Sequence, residues 1–166
     1  MVEPLKQSGF TLIELIVTMT ILAILLAIGV PSYQSITTSM RMSGEIDSLM
    51  GDLKFARSEA VKRGLNVSAC PTAGTPCGST GTNWSSGWII YDPASANTLR
   101  ISPSLTSGDT LTWTPSSGSA NPSVTPTGYF STPGEMILDD AAGDISQRRC
   151  IFIATGTLTA NKGASC

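Results

Sequence analysis

Gly9-Phe10-Thr11-Leu12-Ile13-Glu14-Leu15 opens an apolar run that continues to Val30, and this stretch decides the architecture. About twenty such residues suffice to cross a bilayer as one helix. Glu14 is the single charge inside the run. A charged side chain deep in lipid costs about 2.5–3.5 kcal/mol on insertion scales, so a carboxylate there needs a partner or a purpose.

A secretory signal would place a short apolar core before its small-residue cleavage site. Here Gly9 precedes the run, and the run is too long for a signal core. The flank before it carries Lys6, offset by Glu3. A cut at Gly9 would leave the apolar segment on the mature chain. The heptapeptide closely resembles the processing site of type IV prepilins and of the pseudopilins of type II secretion. That resemblance implies cleavage between Gly9 and Phe10 by a prepilin peptidase, with N-methylation of the new N-terminal Phe10. It also implies that Glu14 pairs with the N-terminal amine of a neighbouring subunit during filament assembly. An α-amino group is mostly charged at neutral pH, so the pairing is chemically sound. A simpler role for Glu14 is to favour the positive end of its own helix or to reach the headgroups.

Beyond Pro31, which should kink the helix or break one of its hydrogen bonds, residues 32–63 lack proline. Ile36, Met40, Ile46, Leu49, Met50, Leu53, Ala56 and Ala60 recur mostly at steps of three or four, the spacing of one helical face. Arg41, Glu45, Asp52, Lys54, Glu59 and Lys62 fall largely off that stripe. Glu59 and Arg63 stand four apart in the favourable order, and Gly64 is a good stop. The expected organisation is therefore a leader at 1–9, a membrane and assembly segment at 10–30, its amphipathic continuation at 31–63, and a β-rich domain at 64–166. The helix over 10–63 would be about 80 Å long.

The second part is strand-like. Leu65–Cys70 alternates, and Gly87–Tyr91 is apolar and β-rich. Thr98–Ile101, Thr110–Trp113, Glu135–Leu138 and Arg149–Ile153 are further strands, with Gly156–Thr159 closing a last hairpin. Residues 114–134, rich in Ser, Thr, Gly and Pro, read as loop. The fold class is α+β, a long helix lying against an antiparallel sheet. Trp84 and Trp88 read as core.

Leu53-Lys54-Phe55-Ala56-Arg57-Ser58-Glu59-Ala60-Val61-Lys62-Arg63-Gly64 resembles the helix end of the GspH/FimT group of minor pilins and pseudopilins, leading to a strand that ends at Cys70. Trp84-Ser85-Ser86-Gly87-Trp88 resembles that group's W-x-x-G-W segment. The resemblance implies a type IV pilin-like fold held in the inner membrane, with its C-terminal domain in the periplasm before assembly and in a pilus or pseudopilus afterwards. Its partners would be the prepilin peptidase and other pilin subunits, met through the N-terminal helix. The role it favours is a minor pilin in the initiating or tip complex of a type IV pilus; a GspH-like pseudopilin of type II secretion is the alternative. DNA binding in natural transformation is a third reading. The arginine-bearing segment that would carry it corresponds to Gly156-Thr157-Leu158-Thr159, which lacks arginine. Arg148, Arg149 and Lys162 remain as weak phosphate contacts, beside Asp139, Asp140 and Asp144.

Cysteines stand at 70, 77, 150 and 166, with spacing unlike a zinc site. Export would put them where disulfides persist. Three pairings exist, and Cys70–Cys77 with Cys150–Cys166 is favoured because each closes a short loop. The net charge of −2 argues against a bulk nucleic-acid binder. With no histidine, the commonest catalytic base and metal ligand is missing. No nucleotide-binding or zinc-protease motif occurs, so an enzyme is not expected and no cofactor is required. Asp139, Asp140 and Asp144 around Gly143 are the only metal-like group, a calcium candidate lacking a closing glutamate and read instead as a polar turn.

Overall fold

A computed structural model describes residues 10–72, 77, 82–118 and 121–163. The proposed leader, including Gly9, lies outside the described residues, as does Cys166. The chain divides into two units, one ending at Thr37 and the other beginning at Thr38.

Helix α1 runs Leu12–Arg63 and passes through Pro31. In the first unit every described side chain is exposed, and the helix is long and apolar enough to cross a membrane. Its threonines are compatible with lipid because their hydroxyls bond within the helix. Thr18 Oγ1 donates to the Leu15 carbonyl at 2.9 Å, and Thr20 Oγ1 to Val17 at 2.8 Å.

In the second unit, α1 buries Met42, Ile46, Leu49, Leu53, Ala56 and Ala60, a strict alternation of four- and three-residue steps. The stripe differs from the sequence expectation at its start: Met42 is buried, while Ile36 and Met40 face outward. It also carries Asp52 and Glu59, which the apolar pattern placed on the polar side. Trp88, Arg100 and Ser102 hold Asp52 from distant strands, whereas Glu59 pairs with Lys62 and Arg63 of its own helix. The helix ends as expected at Gly64, whose φ of +67° is the left-handed turn glycine adopts freely, with its N–H on the Ala60 carbonyl at 3.0 Å.

Among the described residues eight strands follow: β1 Val67–Pro71, β2 Trp88–Asp92, β3 Asn97–Ser102, β4 Thr110–Pro115, β5 Ser123–Val124, β6 Gly134–Asp139, β7 Arg149–Ile153 and β8 Leu158–Lys162. The expected single sheet is two four-stranded antiparallel sheets, ordered β3-β2-β1-β5 and β4-β6-β7-β8. The stretch read as loop at 114–134 contains β5, which pairs with Val67 and Ser68. The β1 strand begins at Val67 rather than at Leu65, which is exposed. Alternation on β4 and β6 puts Leu111, Trp113, Met136 and Leu138 inward, where they join Trp84, Trp88 and the helix stripe in one core. Fully burying each such aliphatic side chain is worth about 1.5–3 kcal/mol.

Candidate functional site

The helix start is the first candidate. Thr11 precedes Leu12, and its Oγ1 accepts the Glu14 N–H at 3.3 Å while its carbonyl accepts Leu15 N–H at 3.2 Å. Thr-x-x-Glu is a capping pattern, and the hydroxyl half of it is formed here. The spacing of Thr11 and Glu14 carried that signal, which the reading of Glu14 by its charge alone, as a partner of an amine or of the helix dipole, left out. Glu14 sits in the first helical turn, where a carboxylate is favoured by the helix dipole. Phe10 and Glu14 are both exposed.

Among the described residues of the second unit, three ion-pair groups fasten α1 to β2, to β3 and to the turn before β4. Asp52, 4% exposed, accepts Trp88 Nε1 at 2.8 Å, Arg100 Nη1 at 2.8 Å and the Ser102 hydroxyl. Arg100 also stacks over Phe55. Arg41 grips buried Asp109 with two bonds of 2.8 and 2.9 Å. Arg63 binds Glu59 at 2.7 Å and approaches Asp92 at 3.7 Å. The Arg63 hydrogen bond holds the Glu59 carboxyl below its ordinary value, and the Ser95 hydroxyl does the same for Asp92. Burial pushes Glu45 the other way.

The C-terminal candidates separate. Arg148 is committed to Asp139 by bonds of 2.6 and 3.1 Å, which raise its pKa. Arg149 is buried, and that burial lowers its pKa; it donates to the Gln147 carbonyl at 2.7 Å and to Ser39 Oγ at 3.1 Å. Lys162 is exposed and stands opposite Arg149 across the β7–β8 ladder. The structure therefore brings Arg149 and Lys162 together and turns Arg148 to Asp139, so the three do not form one cationic face. Among the acidic candidates, Asp140 Oδ1 accepts Asp144 N–H at 2.7 Å, and Asp144 caps a short 3-10 turn, Ile145–Gln147, through Ser146 N–H at 2.9 Å. Bonds to Ser146 lower the Asp144 pKa. These oxygens serve the turn and Arg148, and no group of three or more potential metal ligands converges among the described residues.

Cys70 and Cys77 form a disulfide, and Cys150 is disulfide-bonded. Trp84 and Trp88 are core residues. Arg57, read as part of a solvated face, instead reaches the Gly156 carbonyl at 3.2 Å and lies over Phe130.

The family profile described as Type II transport protein GspH matches residues 45–157, and the prokaryotic N-terminal methylation motif matches residues 4–30. The chain is 30% identical over 104 residues to the type IV narrow pilus major component PilA5 of Thermus thermophilus, spanning 59% of this chain and 89% of that one. Prepilin peptidase-dependent protein D of Escherichia coli is 67% identical over 30 residues, 18% of this chain and 20% of that one. The fold is similar to the crystal structure of the type IV minor pilin FimU of Pseudomonas aeruginosa, with TM-score 0.57 and 19% identity over 74% of this chain and 94% of that one. Such families consist of structural subunits rather than enzymes. A processing motif, an apolar helix and a domain of the right topology thus converge, and the chain belongs to the GspH family of type IV pilin-like proteins, the minor pilins and pseudopilins.

Proposed function

We propose that this chain is a minor type IV pilin that helps initiate or tip the filament. A prepilin peptidase removes the leader after Gly9, and the amine of Phe10 is methylated. The segment 10–30 then holds the chain as a single-pass protein of the inner membrane, with the C-terminal unit in the periplasm. On assembly the helix leaves lipid for the filament, and Glu14 pairs with the amine of a neighbouring subunit. Other pilins are its partners through this helix.

The observation that carries the reading is the combination of the methylation motif at 4–30 with a second unit whose fold is that of FimU, a minor pilin. The GspH description favours a second reading, a minor pseudopilin of type II secretion, with the same helix chemistry in a different machine. PilA5 is a major component, so subunit abundance separates a minor from a major role, and dependence of surface filaments on the chain separates pilin from pseudopilin. The test is to delete the gene and restore it as native chain or as Glu14→Ala, then count surface filaments and quantify subunits in purified ones. Native chain should restore filament number and be present at a few copies per filament. Glu14→Ala should be cleaved normally yet fail to enter filaments. Copy numbers near those of the major subunit, or normal incorporation of Glu14→Ala, would refute the respective part of the proposal.

A further inference from the structure

Lys162 and Arg149 are directly opposite on neighbouring strands, an arrangement that is destabilising for like charges unless an anion lies between them. Both converge on one neutral oxygen: Ser39 Oγ is 3.1 Å from Arg149 Nη2 and 3.4 Å from Lys162 Nζ. Ser43 Oγ adds a contact to the same guanidinium at 3.4 Å. Among the described residues neither cation forms a close ion pair, although the Lys162 charge reaches Asp144, whereas Arg41, Arg63, Arg100 and Arg148 all do. The two cations border an open groove of about 430 Å³ between α1 and β8, with Ile46 in its wall and, among the described residues, Asp47 as its one lining carboxylate. Residues 160–162 in succession line the groove, so the edge of β8 itself borders it. That edge has no strand partner among the described residues, while β4 is covered by Thr82–Trp84 and β5 by Phe130–Ser131.

We propose that this groove is a docking site for an extended, acidic segment of a neighbouring filament subunit, whose main chain adds to β8 and whose carboxylate sits between Arg149 and Lys162. A free strand edge offers main-chain hydrogen bonds, and a charged pocket beside it supplies side-chain selection. The guanidinium and ammonium suit a carboxylate, with the Ser39 and Ser43 hydroxyls completing its coordination. The chain's net charge of −2 opposes a polyanion such as DNA or an anionic bilayer, but two local cations accommodate a single carboxylate. Asp47 on the lining disfavours a segment carrying two adjacent acids. The occupant, though not the carboxylate chemistry, rests on the filament role proposed above.

The test has two arms. In the first, processed full-length chain in detergent micelles is titrated with a blocked pentapeptide alternating valine and glutamate, with its glutamine counterpart, with inorganic phosphate and with anionic vesicles. The glutamate peptide should bind, the glutamine peptide should not, and Lys162→Ala should weaken binding roughly fivefold, the upper end for a rim-exposed charge pair. Lys162 is the chosen variant because it is exposed and its loss spares the fold; Lys162→Glu should abolish binding. Equal binding of both peptides, or Lys162-dependent binding of phosphate or vesicles without the glutamate peptide, overturns the proposal. In the second arm, a photo-crosslinking residue replaces Asn161 in cells making filaments. A crosslink to an acidic segment of another pilin subunit, lost in Lys162→Glu, supports it. No such crosslink in cells with normal, chain-dependent filaments overturns the docking site alone. Filaments that do not need the chain at all refute the minor-pilin reading instead.

Discussion

Asp52 accepts from three side chains supplied by β2 and β3, and its own helix supplies none of them. Removing a buried carboxylate strands its donors: the Trp88 N–H and the Ser102 hydroxyl lose a partner where water does not reach, while the half-exposed Arg100 recovers in solvent. Asp52→Ala is therefore expected to destabilise the second unit by about 3 kcal/mol, and Asp52→Asn, which keeps an acceptor, by about 1. Denaturant unfolding followed by tryptophan fluorescence reads this directly, since Trp84, Trp88 and Trp113 are all buried. The titrating carboxylates set a pH profile of definite sign. Glu59 and Asp92 have lowered pKa values, so the stability they add is present at neutral pH and is lost as pH falls through the folded values, below the ordinary carboxylate range. Glu45 is raised, so its charged form opposes folding at neutral pH, and its protonation on acidification relieves that. Stability should thus rise slightly on mild acidification and then drop below about pH 4. Glu45→Gln should erase the rise, and Arg63→Gln should soften the drop. A profile unchanged by either substitution would disprove the assignment.

Helix α1 shows what a pattern of residues can and cannot reveal about an element. Its span, its stop at Gly64 and the Glu59–Arg63 pair were legible because each depends on neighbours within a turn. Its buried face was legible from Ile46 to Ala60 but not at Met42, nor at Asp52 and Glu59, because an apolar count assigns carboxylates outward. What draws Asp52 inward are Trp88, Arg100 and Ser102, 36 to 50 positions away, and no local spacing announces them. The strands were legible in position through alternation, while their division into two sheets depends on which distant strands pair. The two-residue β5 is below what periodicity can detect. Of the candidate sites, Arg148, Arg149 and Lys162 were visible as cations, but only the β7–β8 register reveals which two meet. Glycines separate by the same logic. Gly44 and Gly51 are helical with nothing within 4 Å of an added Cβ, so alanine there should stabilise by up to about 1 kcal/mol. Gly134 is covered by the Trp113 ring, and a Cβ would lie 2.6 Å from the Thr114 carbonyl oxygen. Gly134→Ala should destabilise by about 1–3 kcal/mol through overpacking of β4 against β6. Thermal unfolding of the three variants should move in these opposite directions, and a neutral Gly134→Ala would show that the tryptophan relaxes freely.

At the scale of the whole molecule, the two units want different solvents. The first exposes an apolar helix whose hydroxyls are satisfied internally; the second has a closed core, charged pairs at its helix–strand contacts and disulfide-bonded cysteines at 70, 77 and 150. Disulfides persist in oxidising compartments, which agrees with the proposed orientation, the second unit in the periplasm and the first in the membrane. The proposed orientation also keeps Lys6, which precedes the apolar run, on the cytoplasmic side, as the positive-inside bias favours. This orientation makes a joint prediction. Protease added to spheroplasts should digest residues 38–166 and leave the segment around 10–30 with the membrane, whereas intact cells should protect both. A thiol reagent applied after denaturation without reductant should label nothing, and after reduction it should label the cysteines. Protection of the second unit in spheroplasts would place it in the cytoplasm. Its cysteines would then be expected to be reduced, and thiol labelling in the same sample would establish whether the orientation or only the protease access had failed.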